Sequence, residues 1–143
     1  MRSLCLLALV LVSAFAADVL PDKFYGKFEI DHSENFDEYL VAKGYGWFTR
    51  QLVTFAKFEK VFAKTSDPKK FDYSNLTSKK DIHYKAVTWY MKDGKLYEHH
   101  VPTDTSGEMK EETFDYYFDG DFLVVGMKAG DVAAKRFYKR KSE

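Results

Sequence analysis

From Phe58 to the C-terminus the chain is a succession of short aromatic and β-branched runs. Turn signals separate them, among them Ser66-Asp67-Pro68, Asp93-Gly94, Ser106-Gly107 and Asp119-Gly120. Connections this short leave no room for a crossover helix, so successive runs must lie antiparallel beside one another. The runs 58–64, 70–74, 81–91, 95–101, 111–118, 122–128 and 132–140 read as strands, and Phe24 to Ile30, "FYGKFEI", alternates in the same way ahead of them. That makes about eight strands, for which an up-and-down antiparallel β-barrel is the economical way to remove exposed edges. Such a barrel can hold one small ligand.

Two short helices are expected between the first strand and the meander. In "SENFDEYLVAKG" either Ser33 or Asn35 can cap, Glu38 follows Asn35 at capping-box spacing, and Gly44 is placed to stop the helix. Phe36, Tyr39, Leu40 and Ala42 fall along one side of it. In "WFTRQLVTFAK" the residues Phe48, Leu52, Phe55 and Ala56 recur at helical spacing. Joined by Gly44-Tyr45-Gly46, the pair forms a helix-turn-helix lid on an all-β domain. No repeat or linker suggests a second domain.

The first residues, "MRSLCLLALVLVSAFAAD", combine Arg2, an apolar run from Leu4 to Val12 and an A-x-A arrangement at Ala14 and Ala16. This reads as a signal peptide over 1–16, leaving 17–143 as the folded domain of a secreted protein. The run is too short to serve as a membrane anchor. Of 22 basic and 22 acidic residues the leader takes only Arg2, so the mature chain has one net negative charge and no basic field for nucleic acid. Cys5, the only cysteine, leaves with the leader, so core packing alone must hold the fold in an oxidising space. The 17% aromatic content is ample for that core. Asn75-Leu76-Thr77 is a candidate glycosylation site at Asn75.

The terminal stretch "AAKRFYKRK" carries the chemistry. Alternation puts Arg136 and Tyr138 on the apolar face with Val132 and Ala134, opposite Lys135 and Lys139. An inward cation needs an anion, supplied by the protein or by a ligand. A guanidinium fork with a phenol beside it matches a carboxylate. Other chemistry is thin. His99 and His100 are adjacent on a strand and point to opposite faces, with no further ligand at metal spacing. There is no G-x-S-x-G and no P-loop. Neither metal, cofactor nor catalytic residue is expected.

The first strand, "SENFDEYLVAKGYGW", the helical pair, the antiparallel meander and the terminal "RFYK" together resemble the intracellular lipid-binding superfamily, the fatty-acid-binding proteins. The leader and "NLTSKKDIHYK", Asn75 to Lys85, look like its secreted nematode branch. The resemblance implies a calycin- or lipocalin-like barrel of about eight to ten strands whose cavity holds one fatty acid under the helical lid. It implies that Arg136 and Tyr138 hold the carboxylate. A second arginine of that family would fall at Asp115, a reversal of charge that offers Arg136 an internal partner. About two strands' worth of chain is also short between Lys85 and Asp93, so either a smaller barrel closes or a segment has been omitted.

The expected function is a secreted carrier of a long-chain fatty acid or related hydrophobic ligand, for extracellular transport or storage, acting as a monomer and catalysing nothing. Beyond Arg136 and Tyr138, the helical stripe offers Phe36, Tyr39, Leu40, Leu52 and Phe55 as ligand contacts. It also allows transient membrane contact, with Lys43, Arg50, Lys57 and Lys60 as guiding charges. Simple packing onto the barrel rim and ordinary solvated lysines are the plainer explanations. The rival function is a barrel with a closed cavity that acts through its surface as an interaction protein.

Overall fold

The computed structural model describes residues 7–14, 19–77, 84–102 and 111–142, with backbone alone for 7–14, 84–87 and Pro102. Strand β1 (Leu7–Ala14) precedes a single 3-10 turn at Asp22–Phe24 and strand β2 (Gly26–Glu34). Helices α1 (Phe36–Ala42) and α2 (Trp47–Phe55) come next. Then follow β3 (Phe58–Lys64), β4 (Lys70–Thr77), β5 (Tyr84–Lys92), β6 (Lys95–Pro102), β7 (Glu112–Asp119), β8 (Phe122–Ala129) and β9 (Val132–Arg140). β3 and β9 have the expected limits, β4 runs on to Thr77, and β2 starts later and continues to Glu34. Residues 81–83 and the Ser106-Gly107 turn lie outside the described residues.

All nine strands belong to one antiparallel sheet in the order β1-β4-β3-β2-β9-β8-β7-β6-β5. The meander β5 to β9 returns to pair with β2, as the tight turns require. The sheet curls so far that its two end strands, β1 and β5, lie against each other.

β1 was not foreseen as structure. In the full chain it pairs along β4, from Leu7 opposite Thr77 to Ala14 opposite Lys70. An edge strand presents a row of unmet N–H and C=O groups, and an extended apolar octapeptide satisfies them. Residues 1–6 and 15–18 of the expected leader region are outside the described residues.

The helical pair forms where expected, but its entry differs. Asn35 precedes α1 at φ 57° and makes no capping bond. Its Nδ2 donates instead to the Ala133 carbonyl at 2.8 Å, tying the helix to β9. The capping box therefore does not form. Gly44, at φ 87°, ends α1 with its N–H on the Val41 carbonyl at 2.9 Å.

Inside the sheet, alternation brings rings from several strands together. Phe62 meets Tyr73 at 5.0 Å, Trp89 and Phe71 at 5.8 Å, and Tyr116 at 5.9 Å between ring centroids. Such edge-on and tilted arrangements are favoured between aromatic quadrupoles. Much of the inner space beside β3 and β4 is thus occupied by the protein's own side chains.

Candidate ligand-binding site

β9 aims its residues as alternation demands: Ala134, Arg136 and Tyr138 are buried, while Lys135 and Lys139 are exposed. Arg136 is only 5% exposed. Its guanidinium lies 4.3 Å from the ring of Phe36 on α1 and 4.5 Å from that of Phe58 at the start of β3. Among the described residues it makes one side-chain hydrogen bond, from Nε to Ser33 Oγ at 3.2 Å. The aromatic faces stabilise the cation, yet most of its five donors keep no acceptor among the described residues.

Asp115 does not become the internal partner. β7 turns Tyr116 inward and Asp115 outward, so the carboxylate accepts a bond from Lys95 Nζ at 3.2 Å. It sits across from Gly126, where a side chain would collide with it. Register alone decides this: neighbours on a strand face opposite ways.

A second interior cation was missed. Lys60, grouped in sequence with the basic lid residues, is 7% exposed and belongs to the inner face of β3. Phe58, Lys60 and Phe62 share that face, so the signal lay in the alternation. Lys60 Nζ donates to Tyr73 OH at 2.8 Å and lies 5.4 to 5.5 Å from the ring centres of Tyr116, Tyr73 and Tyr138. From Tyr73 the polar contacts continue to Tyr116 OH at 3.5 Å, then from Tyr116 OH to Glu98 Oε2, while Glu98 Oε1 meets His100 Nε2. Glu98 and His100 are buried. His99 points the other way, to Thr113 Oγ1 at 2.9 Å, so the two histidines diverge as expected.

Electrostatics follows from this enclosure. Burial opposes the charge on Lys60, but Tyr73, Tyr138 and Glu98 outweigh it and hold the ammonium above the ordinary lysine range. Burial pushes the phenols of Tyr73 and Tyr116 up, and the Glu98 charge adds to the effect. The charged side chains buried among the described residues are Arg136, Lys60 and Glu98, with His100 beside them. Among the described residues the two buried cations, Arg136 and Lys60, thus have one buried carboxylate between them.

The lid candidates divide. Phe36, Tyr39 and Leu40 are buried against Ala134, and Phe36 touches the Arg136 cation. Leu52 and Phe55 face solvent, with Phe55 79% exposed, so the structure does not bring them to the interior. A helix stripe needs a partner surface, and α2 buries none of its residues. Asn75 shares the inner-facing register of β4 with Phe71 and Tyr73 and is half-buried, with its Oδ1 enclosed.

No family model matches the sequence. Individual relatives do. The chain is 59% identical to "Fatty acid-binding protein homolog 1" of Caenorhabditis elegans over 152 residues, covering 94% of this chain and 95% of that protein. The chain belongs to the fatty-acid-binding protein family. A homologue from Ascaris suum is 38% identical, with 95% of this chain and 98% of its own covered. Among solved structures, that of "As-p18, an extracellular fatty acid binding protein" matches with a TM-score of 0.76 and 38% identity, over 87% of this chain and all of its own. The 152 aligned positions exceed the 143 residues present, so the Caenorhabditis relative carries residues that this family member lacks.

Proposed function

We propose that the protein is a secreted, monomeric carrier that holds one monoanionic amphiphile, a long-chain fatty acid or close relative, inside its sheet and catalyses no reaction. The observation that carries this is the charge imbalance of the interior: among the described residues Arg136 and Lys60 are buried with a single buried carboxylate, Glu98. A fatty-acid carboxylate restores neutrality, and Arg136 offers it free donors beside the lid. Burial of the acyl chain, at ~0.8 kcal/mol per methylene, drives binding, so Arg136 sets orientation more than affinity. The relatives' names and the extracellular solved structure support the cargo and the location. The outward face of α2, with Lys57 and Arg50 near it, supports transient membrane contact during delivery.

A closed barrel working through its surface is the second reading, favoured by the rings packed around Phe62. Native mass spectrometry of the secreted protein tests both. A retained acyl ligand, displaceable by a fluorescent fatty acid, is expected. A ligand-free protein that displaces no probe establishes the closed barrel instead.

A further inference from the structure

The interior holds a second polar station that a plain fatty acid leaves unused. Lys60 has three N–H donors and, among the described residues, one hydrogen-bond acceptor, Tyr73 OH. Trp89, packed 4.7 Å from Tyr73 and 5.6 Å from Tyr116 between ring centroids, is 3% exposed. Its Nε1 donor is enclosed and meets no acceptor among the described residues. Among the described residues Trp89 Nε1 therefore has no protein oxygen, and Lys60 Nζ has one for its three N–H groups. Leaving such a donor unmet in an apolar interior is costly.

The station's charge distinguishes it from Arg136. Hydrogen bonds lead from the Lys60 ammonium through Tyr73 and Tyr116 to the Glu98 carboxylate, so its cation is compensated within the protein. An anion is not what it lacks. An uncharged oxygen that accepts from Lys60 or Trp89 is. The Tyr73 to Tyr116 step, at 3.5 Å, is long for a bond between hydroxyls, which marks where the chain of contacts is weakest. Arg136, with no buried carboxylate bonded to it among the described residues, remains the place for the head group.

We propose that the preferred cargo is an oxygenated fatty acid, with its carboxylate at Arg136 and a hydroxyl or keto oxygen farther along the chain at Lys60 and Trp89. This rests on the carrier reading above and deepens it. The deeper station lies beside Tyr138, one inward position along β9 from Arg136. Two residues of strand span roughly 7 Å, so the proposal places the oxygen beyond the carbon next to the carboxylate.

The test titrates the full secreted chain, by displacement of a fluorescent fatty acid, with a saturated acid and its mid-chain hydroxylated counterpart of equal length. The wild type is expected to bind the hydroxylated acid about tenfold more tightly, the worth of one hydrogen bond to a charged donor. Lys60→Met is expected to erase that preference while still binding the plain acid, and Arg136→Met to weaken both acids alike. Glu98→Gln provides a second variant: with Lys60 uncompensated, an α,ω-dicarboxylic acid gains affinity relative to the hydroxylated acid. Equal affinities in the wild type, or a preference that persists in Lys60→Met, overturn the proposal and show that water satisfies these donors. Should Lys60→Met not fold, an unchanged order of ligands in Glu98→Gln overturns it. Binding of neither acid by the wild type overturns the carrier reading itself, which separates the two failures.

Discussion

The two helices carry nearly the same apolar pattern and have opposite fates. α1 presses Phe36, Tyr39 and Leu40 onto β9, where the small Ala134 lets the helix approach, and Asn35 fastens its entry to the same strand. α2 presents Phe48, Leu52 and Phe55 at helical spacing, but Phe48 is 68% exposed and only Val53 reaches the cluster beneath α1. Period alone identifies a face that wants an apolar partner. It does not say whether that partner belongs to the chain. In this molecule one helix is part of the core and its neighbour is a surface held out on a short tether.

Mutations in the two stripes sharpen the contrast. Leu40→Ala is expected to cost about 2–5 kcal/mol, because it empties space between α1 and β9, and urea unfolding reads this directly. A loss as large from Leu52→Ala would erase the distinction between the helices. Tyr39→Phe removes the hydroxyl bond to Glu112 Oε1, 3.0 Å away, and is expected to cost about 1 kcal/mol in the same assay. Arg50→Ala cuts the contact from Nε to Asp37 Oδ1 at 2.8 Å that ties α2 to α1. Being exposed, that pair is expected to contribute under about 1 kcal/mol, and its effect in unfolding titrations should shrink with added salt. Phe55→Ser is expected to leave stability within about 0.5 kcal/mol of wild type, yet slow transfer of a fluorescent fatty acid to anionic vesicles. Unchanged transfer would leave the exposed face of α2 without a role in delivery.

Local rules made much of this legible. Alternation fixed the limits of β3 and β9 and the inward aim of Arg136 and Tyr138, because a strand buried on one face leaves little freedom of register. Helical spacing located α1 and α2. What escaped depends on distant chain. Asn35 is a sound capping residue by neighbourhood, but its amide is claimed by a carbonyl 98 residues away. Lys60 shares a face with Phe58 and Phe62, yet its place near the basic lid residues suggested a surface charge until β4, β7 and β9 closed tyrosines around it. Glu98 was one acid among many, and nothing local marks it as the carboxylate facing His100 and Tyr116. For β1 the composition that suits a secretory leader also suits a strand, and only an open edge on β4 decides between them in the uncut chain.

That last pairing ties the first residues to the sheet. Loss of residues 1–16 would strip β4 of its eight-residue neighbour and β5 of the strand that lies against it. Removal of residues 1–16, expected of a leader, would therefore change the sheet as well as the length of the chain.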